Sequence, residues 1–414
     1  MPTIVKGFIE QVKNVQFSQN QTINLTVIAR RSAKRPGTRQ WRRGTDVEAH
    51  VANFVESEQI VEFEDGCISS FVQVRGSIPI MWSQTPNLMY KIPILIGPSG
   101  RSEAVLKSHV STLCKNYGGV TAISLANLTG REGKLSNAYQ SAAAAVSKEV
   151  SDFKFVAFDF HKECGAVNYH NLSKLWNSIQ GEHASYGAWS RGGKQGNSRQ
   201  SGVFRTNCID TLDRTNVVQG LLARKTLEQL LCERGLLNPG ETFDKVNASF
   251  ETLFRSIWAD HGDEISRQYA GTGAMKSAFT RTGKRDVSGL MDDGIKSLTR
   301  YYLNNFRDGG KQDALDLVTG TFKPERDGRS TPTLAGMSPA TLLIIAAALF
   351  RFAYTNMQNM SALQDALTIE ALKQMWLPLF LAFGILQIIK KFGKYFVDTP
   401  TFRPDLSVPW ENKN

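Results

Sequence analysis

Between residues 90 and 232 the sequence alternates strand-like and helix-like runs, and this alternation constrains the fold more than any other feature. Each apolar, strand-like run is followed by an amphipathic, helix-like run: Ile92–Ile96 by Ser102–Tyr117, Val120–Leu125 by Asn137–Val150, Phe153–Phe158 by Asn171–Ile179, and Gly202–Thr206 by Thr215–Cys232. Such alternation is typical of a mostly parallel sheet with helices on its faces. The sequence therefore predicts an α/β fold in which ligands bind beyond the carboxyl ends of the strands.

The segments on either side of this core have different patterns. Residues 1–90 are strand-rich, with strand-like runs at Thr3–Phe8 and Thr22–Ala29 and a predicted hairpin of Ile60–Phe63 and Ile68–Val74 around Asp65-Gly66. After Gly235 the pattern is mostly helical, through Phe243–Trp258 and Met291–Phe306. We therefore predict one domain over residues 1–325, with a strand-rich start (1–90), an α/β core (90–235) and a helical part (236–325).

The last strand-to-helix turn of the core carries a C-x5-R loop from Cys208 to Arg214. At this spacing, one turn of backbone can surround a phosphate with inward-pointing amides while the arginine binds two oxygens. The turn also precedes a helix N-terminus, which favours an anion. The same field favours the thiolate form of Cys208, the reactive form of a cysteine.

The C-x5-R spacing alone is weak evidence, because it arises by chance in many arginine-rich chains. The alternative is a buried structural cysteine near an unrelated arginine. The strand before the loop, the helix after it and the two acids within it, Asp210 and Asp213, favour phosphate chemistry. Either aspartate is also a plausible helix N-cap.

Cysteine usage and charge limit the function classes. The five cysteines include no C-x-x-C pair, which argues against a disulfide framework and a zinc site. We expect a reducing compartment and no metal or cofactor, and the N-terminus shows no signal peptide. The net charge of +11 indicates an acidic partner.

The basic residues form two clusters, each of which has a solvated loop as its alternative interpretation. The first comprises Arg30, Arg31, Lys34, Arg35, Arg39, Arg42 and Arg43, and the second Lys276, Arg281, Lys284 and Arg285. Nucleic-acid binding is disfavoured because only Trp41 is interleaved as a stacking platform. Membrane phosphates are the better match.

Two apolar runs near the C-terminus, residues 337–354 and 372–389, predict a transmembrane hairpin. Buried core helices are the alternative, favoured by Arg351. The outer flanks carry lysine and arginine and the connecting loop carries neither, so the positive-inside rule places that loop in a lumen. The predicted order is a linker (326–336), a first helix, a lumenal loop (355–371), a second helix and a cytosolic tail (390–414).

Residues 205–219 (RTNCIDTLDRTNVVQ) closely resemble the signature of the Sac-domain phosphoinositide phosphatases. Further blocks of the chain match that family in order: Gly37–Arg39, Trp41–Gly44, Ala52–Glu56, Ser70–Pro79, Trp258–Asp263, Gln268–Thr272 and Thr280–Arg285. Family members carry an additional N-terminal subdomain that precedes the part matched here. The C-terminal hairpin resembles the endoplasmic-reticulum and Golgi branch, whose preferred substrate is phosphatidylinositol 4-phosphate.

The resemblance implies hydrolysis through a cysteinyl-phosphate intermediate, with Cys208 as the nucleophile and Arg214 binding the phosphate. Asp213, or else Asp210, is the expected general acid, and Thr215 the residue that hydrogen-bonds the thiolate. The other residues expected at the phosphate or the membrane are Asn207, Ile209, Thr211, Leu212, Asn216, Arg39, Arg42, Arg43, Lys276, Lys284 and Arg285. For Asn207 and Asn216, bracing of the loop is the favoured alternative. His261 and Asp263 are candidates for the site or for ordinary loop and cap roles.

Two other functions fit the same residues. One is a protein phosphatase that uses the same loop, and the other is a catalytically silent adaptor that binds phosphoinositides. The intact Cys208, Asp213 and Arg214 favour an enzyme over the adaptor. The sequence does not rank the 3-, 4- and 5-phosphates.

Overall fold

The structure is a computed structural model that describes residues 3–322 apart from short gaps at 19–20, 90, 166–167, 194–195, 276 and 283–286. Beyond residue 322 it describes 347–352, 354–355, 380–381, 383–384, 387 and 391–402. The predicted membrane segments, their linker and their lumenal loop therefore lie largely outside the described residues. Within the part of the chain that is described, no helix is both long enough and apolar enough to cross a membrane.

The described residues form one large mixed sheet and a small two-stranded sheet. The strands are β1 (Ile4–Ser18), β2 (Gln21–Ser32), β3 (Val55–Phe63), β4 (Ile68–Arg75), β5 (Trp82–Ser83), β6 (Leu95–Ile96), β7 (Gly119–Ser124), β8 (Phe153–Ala157), β9 (Trp189–Gly193), β10 (Gly196–Ser198) and β11 (Gly202–Asn207). The large sheet has nine strands in the order β1-β2-β3-β4-β11-β7-β8, with β9 pairing to β4 and β10 to β9. The remaining two strands, β5 and β6, pair with each other.

The prediction of a mostly parallel sheet is wrong. Only β4, β11, β7 and β8 pair in parallel, whereas β1 to β4 form an antiparallel meander in the same sheet. The physical reason is that the strand-rich start does not form a separate layer. Its last strand, β4, leaves the hairpin turn at Gly66, where φ is +78°, and continues as the neighbour of β11. Ile92–Ile96, predicted as a core strand, contributes only the short β6.

Helices cover both faces of the parallel part of the sheet. They are α1 (Ser99–Tyr117), α2 (Gly130–Glu149), α3 (Phe160–Cys164), α4 (Leu172–Tyr186), α5 (Asp213–Glu233), α6 (Phe243–Val246), α7 (Ala248–Ala270), α8 (Ser277–Thr282), α9 (Val287–Phe306) and α10 (Asp308–Val318). One core packs α1 and α2 against β7 and β11, for instance Leu106 and Tyr139 against Val203. A second packs α4 and α5 on the opposite face, and a third packs α5 and α7 on the meander.

Helices α5 and α7 approach closely beside the C-x5-R loop. A Cβ atom at Gly262 of α7 would lie 2.3 Å from Nδ2 of Asn216 on α5, a distance that real Cβ atoms do not show. Glycine is therefore required at this position, and it lets Asn216 reach beneath the loop. His261, the preceding residue, is buried, and its Nε2 atom is 2.8 Å from the Ser57 hydroxyl.

Residues 391–402 pack back onto the domain. Val397 and Phe396 join a small apolar cluster with Trp41, Leu88 and Phe306. The backbone N–H of Asp398 donates to the carbonyl of Asn305 over 2.7 Å. This C-terminal segment therefore contacts the last turn of α9.

Candidate active site

The C-x5-R loop lies at the carboxyl end of β11, between the parallel strands β4 and β7, and leads directly into α5. Cys208 is the first residue after this strand and is 2% exposed. Its Sγ atom accepts a hydrogen bond from the Thr211 N–H at 3.1 Å, and the Thr215 hydroxyl donates to it at 3.6 Å. An amide N–H and a hydroxyl therefore both point at the sulfur.

The loop is held from below by Arg75, at the end of β4. Its side chain is fully buried and donates to the carbonyls of Thr211, at 2.5 Å, and Leu212, at 3.1 Å. It also donates to the side-chain oxygens of Asn216 and Gln219. Burial lowers the pKa of Arg75 to about 10, so the side chain stays charged at neutral pH.

Thr211 is the strained point of the loop. Its φ of +55° lies in the left-handed region, which a β-branched residue rarely adopts. The strain is sustained because the Thr211 hydroxyl donates to the Gly76 carbonyl at 2.9 Å while Arg75 binds the Thr211 carbonyl. The loop is thus fixed by contacts from β4 and the residue after it.

Arg214 is held by Glu132 on α2. Nη1 and Nη2 donate to the two carboxylate oxygens of Glu132 at 3.1 and 3.0 Å, and Nη1 also donates to the Leu125 carbonyl and Asn127 Oδ1. A guanidinium has five N–H donors, and the Nε–H and the second Nη2–H have no partner among the described residues. Burial lowers the pKa of Arg214, but Cys208 and Glu132 outweigh it and raise the pKa.

Asp210 is bound by two arginines of the first basic cluster. Arg39 donates to it through Nε and Nη2 at 3.0 and 2.8 Å, and Arg43 through Nη2 at 2.7 Å. Burial alone would raise the pKa of Asp210, but these guanidinium groups hold it well below its ordinary value of 3.8. The carboxylate is therefore ionised throughout the physiological range.

Asp213, the first residue of α5, has weaker partners. Its Oδ1 atom accepts from the Met275 N–H at 2.6 Å, and Arg300 of α9 lies 3.4 Å from both of its carboxylate oxygens. It provides no N-cap, because the residue at the cap position is Leu212, which makes no side-chain cap bond. Asp210 and Asp213 thus have different electrostatic environments within one loop.

A basic cleft of about 180 Å³ opens beside the loop. Its lining includes Ile209 and Asp210 of the loop and five cations: Arg39, Arg43, Lys91, Arg131 and Arg300. Lys91 and Arg131 are exposed and have no ion-pair partner among the described residues. Five cations and one carboxylate in its lining give the cleft a positive potential.

The structure brings most of the predicted site residues together but separates one of them. Arg42 lies outside the cleft, in an ion pair with the buried Asp316 at 2.7 Å. Asn207 accepts from Arg205, and Asn216 from Arg75, so both brace the loop. Lys276, Lys284 and Arg285 lie outside the described residues. Asp263 binds the Ala274 N–H and the Ser277 hydroxyl, which is a structural role.

Several residues of the site are not evident in the sequence. Arg75 and Glu132 hold the loop, and Lys91, Arg131 and Arg300 line the cleft. Arg75 lies within the Ser70–Pro79 block and Arg131 beside Glu132 at the start of α2, but nothing in their local sequence indicates the contacts they make. In the described part of the chain, no group of three histidine, cysteine or acidic side chains is placed to hold a metal ion.

The buried carboxyl of Asp308, near the site, makes the stability of the fold depend on pH. Arg39 donates to Asn304, and Asn304 donates to Asp308, which is buried at the start of α10. Burial raises the pKa of Asp308 to about 6, from an ordinary value of 3.8. Because the pKa of Asp308 is higher in the folded state than in the unfolded state, the neutral carboxyl stabilises the fold fully below about pH 4. This stabilisation is lost as the pH rises through about 6.

We therefore expect Asp308→Asn to increase the free energy of unfolding at pH 8 by roughly 2–3 kcal/mol. The gain should shrink steadily toward zero as the pH falls to about 4, because the parent carboxyl then becomes neutral too. Urea unfolding of parent and variant at several pH values measures it. An equal increase in the free energy of unfolding at pH 8 and pH 4 would contradict the raised pKa of Asp308.

The fold and the loop define an α/β protein with a C-x5-R loop at a strand-to-helix turn. Residues 1–165 match the SacI homology domain. The chain is 42% identical over 332 residues to phosphoinositide phosphatase SAC7 of Arabidopsis thaliana, which covers 78% of this chain and 55% of that protein. It is 43% identical over 335 residues to phosphatidylinositol-3-phosphatase SAC1 of Drosophila melanogaster, covering 80% and 55%.

The chain therefore belongs to the SacI homology family, as the resemblance of residues 205–219 implied. Similarity extends to phosphatidylinositol-3-phosphatase SAC1-A of Danio rerio, at 44% identity over 331 residues, covering 80% of this chain and 55% of that protein. The chain spans about half the length of the curated relatives it matches.

Proposed function

We propose that the protein is a phosphoinositide phosphatase that hydrolyses the phosphomonoester of phosphatidylinositol 4-phosphate through a cysteinyl-phosphate intermediate. The observation that carries the proposal is the position of Cys208 Sγ, which receives the Thr211 N–H and the Thr215 hydroxyl at the N-terminus of α5. The names of the relatives, which are phosphoinositide phosphatases, support the substrate class.

In the first step the Cys208 thiolate attacks phosphorus, a sulfur–phosphorus bond forms, and the bond from phosphorus to the inositol oxygen breaks. The leaving oxygen takes a proton from an acid of the loop. Water then attacks phosphorus, the sulfur–phosphorus bond breaks, and inorganic phosphate leaves. The free Nε–H and Nη2–H of Arg214 bind two phosphate oxygens, while Glu132 fixes the plane of the guanidinium.

The nearly complete burial of Cys208 adds a requirement to this mechanism. Because the thiol is 2% exposed, residues 209–213 must move for a phosphate to reach it. Such a movement would break the contacts of Thr211 with Arg75 and the Gly76 carbonyl, and it would release the strain of the left-handed conformation. Substrate phosphate then replaces the hydrogen bonds that Cys208 accepts in the closed loop.

Asp213 is the better general acid of the two candidates. Asp210 is held ionised by Arg39 and Arg43, whereas the one ion-pair partner that Asp213 has among the described residues, Arg300, lies at 3.4 Å. We expect Asp213→Asn to slow turnover of an inositol lipid about 10²–10⁴-fold. An aryl phosphate, whose leaving group needs little protonation, should lose far less.

Asp210→Asn provides the matched control for this prediction. It removes an acid from the same loop and frees Arg39 and Arg43, so it should change the rates with the lipid and the aryl phosphate by similar factors. Steady-state kinetics with both substrates measure the two ratios. Equal loss on both substrates in Asp213→Asn would reject Asp213 as the acid.

The phosphate position is tested with a lipid panel. Arg39, Arg43, Lys91, Arg131 and Arg300 favour a headgroup that carries both a monoester and a diester phosphate. We expect the highest kcat/KM for the 4-phosphate, and measurable turnover of the 3-phosphate, for which the Drosophila and Danio relatives are named. Phosphate release from each lipid, with a phosphotyrosine peptide included, measures the preference. Turnover of the peptide alone would indicate a protein phosphatase.

We also propose that the protein acts on endoplasmic-reticulum and Golgi membranes. The two apolar runs at 337–354 and 372–389, with basic residues before the first run and after the second, support a cytosolic catalytic domain. An adaptor without activity is the remaining alternative, and it predicts lipid binding with no phosphate release from any member of the panel.

A further inference from the structure

Helix α9 buries polar side chains and exposes apolar ones, which is the reverse of a normal surface helix. The side chains that it buries are polar, namely Arg300, Asn304 and Asn305. Its exposed side chains include a run of large apolar residues, which a soluble domain ordinarily turns inward. Hydrogen bonds from polar side chains thus attach the helix to the domain, and its apolar face is exposed.

The apolar residues form one continuous stripe, which we call the α9 stripe. Its members and their exposed fractions are Val287 (73%), Met291 (66%), Ile295 (62%), Leu298 (74%) and Tyr302 (51%). Their spacings of four, four, three and four residues place them within an arc of about 80° on the helix circumference. Five large side chains on one line are far more than the scattered apolar residues of an ordinary surface.

The same helix also borders the basic cleft. Ser297, Arg300 and Tyr301 line that cleft, together with the exposed Lys91 and Arg131. At about 100° per residue, Tyr301 lies about 40°, Ser297 about 80° and Arg300 about 140° from the edge of the stripe. The α9 stripe and the predicted phosphate site therefore adjoin each other on one helix. Apolar side chains beside cations of this kind match a bilayer surface, where acyl chains lie beneath anionic headgroups.

The C-terminal segment, residues 391–402, is a second observation that indicates α9 as the side of the molecule that faces a membrane. It continues directly from the apolar run at 372–389, and it packs on Phe306 in the last turn of α9. Within it, Phe392 and Tyr395 are 43% and 64% exposed, and each ring carries a lysine ammonium, from Lys391 and Lys394 respectively. Exposed aromatic rings with lysines are typical of a membrane–water interface.

We propose that the α9 stripe inserts into the headgroup–acyl boundary of an anionic bilayer and so presents the basic cleft to membrane-embedded substrate. The inference rests on the proposed function for its substrate, but the insertion itself does not. The net charge of +11 and the exposed Lys91 and Arg131 supply the electrostatic attraction, and the stripe supplies the apolar contact. The bilayer is the occupant, rather than a second copy of the chain.

The test uses the complete chain reconstituted in vesicles of phosphatidylcholine, phosphatidylserine and phosphatidylinositol 4-phosphate. The variant is Met291→Asp combined with Leu298→Asp, which places two carboxylates in the stripe. Ile9→Asp is the matched control, because Ile9 is 70% exposed on the edge strand β1. A short-chain, water-soluble phosphatidylinositol 4-phosphate serves as the second substrate.

We expect the stripe variant to lose at least about tenfold in kcat/KM on vesicles and less than about twofold on the soluble lipid. Ile9→Asp should change neither rate by more than about twofold. Equal vesicle rates for the stripe variant and the control would overturn the proposal. So would a stripe variant that loses both rates together, since the stripe would then support the fold or the site rather than the membrane.

A second measurement separates this proposal from the proposed function. A photoreactive apolar reagent dissolved in the bilayer labels side chains that contact acyl chains. We expect labelling of the peptide that contains Met291 and Leu298, and none of the peptide that contains Ile9. If the parent chain hydrolyses neither lipid, the proposed function fails while labelling of α9 still supports insertion. No labelling of α9 above that of β1 rejects insertion whatever the activity.

Discussion

Replacing Cys208 with serine is expected to reduce phosphate release from phosphatidylinositol 4-phosphate by at least about 10³-fold. The serine hydroxyl fits the space of the thiol and can accept the same hydrogen bonds from Thr211 and Thr215, so the fold should be retained. It is not ionised at neutral pH, and the enzyme then lacks its nucleophile. Phosphate release from vesicles and thermal unfolding of the same preparations measure both effects.

Cys67→Ser is the matched control for this experiment. Cys67 is 1% exposed, as buried as Cys208, but it lies in the core between the meander and α5 and α7. Its replacement should lower stability modestly and leave the rate per folded molecule unchanged. Rapid acid quenching of the parent enzyme should also trap phosphate on the peptide that contains Cys208. Equal activity of the two variants would exclude the thiolate mechanism.

Arg75→Leu is expected to lower the free energy of unfolding by about 3–5 kcal/mol. The change removes a buried cation and leaves the carbonyls of Thr211 and Leu212 without their donor, together with the side-chain oxygens of Asn216 and Gln219. Because those carbonyls belong to the C-x5-R loop, activity should fall even where the protein remains folded. Urea unfolding and kcat/KM on the soluble lipid measure the two losses.

Arg267→Leu is the comparison at the surface. Arg267 of α7 pairs with Glu264, and the two side chains are 55% and 35% exposed. Breaking surface ion pairs typically costs about 1 kcal/mol or less, so the two arginines should differ clearly. A loss in Arg75→Leu no larger than in Arg267→Leu would show that the buried hydrogen bonds contribute little.

Local sequence patterns predict the individual elements well, because each pattern reflects one face of one element. The runs at 102–117, 215–232 and 291–306 all lie within α1, α5 and α9, and the hairpin around Gly66 joins β3 and β4. The patterns do not predict which strands become neighbours. The meander joins the parallel strands through β4, and nothing in the sequence of β4 (ISSFVQVR) indicates an antiparallel neighbour on one side and a parallel neighbour on the other.

In the site, too, local features can be predicted from the sequence and long-range contacts cannot. The loop is contiguous, so its spacing and its place before a helix are visible in the sequence. The contacts of Asp210 with Arg39, and of Arg214 with Glu132, connect positions 171 and 82 residues apart. Pairings at such separations depend on the assembled sheet, so the sequence does not distinguish Asp210, which binds two arginines, from Asp213. The apolar face of α9 is visible as a periodic pattern, but its outward orientation is not.

The position of β4 between β3 and β11 has a consequence for synthesis of the chain on the ribosome. The register pairs Val74 with Arg205, so the partner of β4 emerges about 130 residues after it, which takes roughly 7–26 s at typical elongation rates. During that interval the nascent meander has a free edge that is able to pair with other chains. The guanidinium of Arg75 at the end of that edge discourages such pairing, as inward-pointing charges on edge strands do. One side chain thus protects the growing polypeptide before it supports the completed loop.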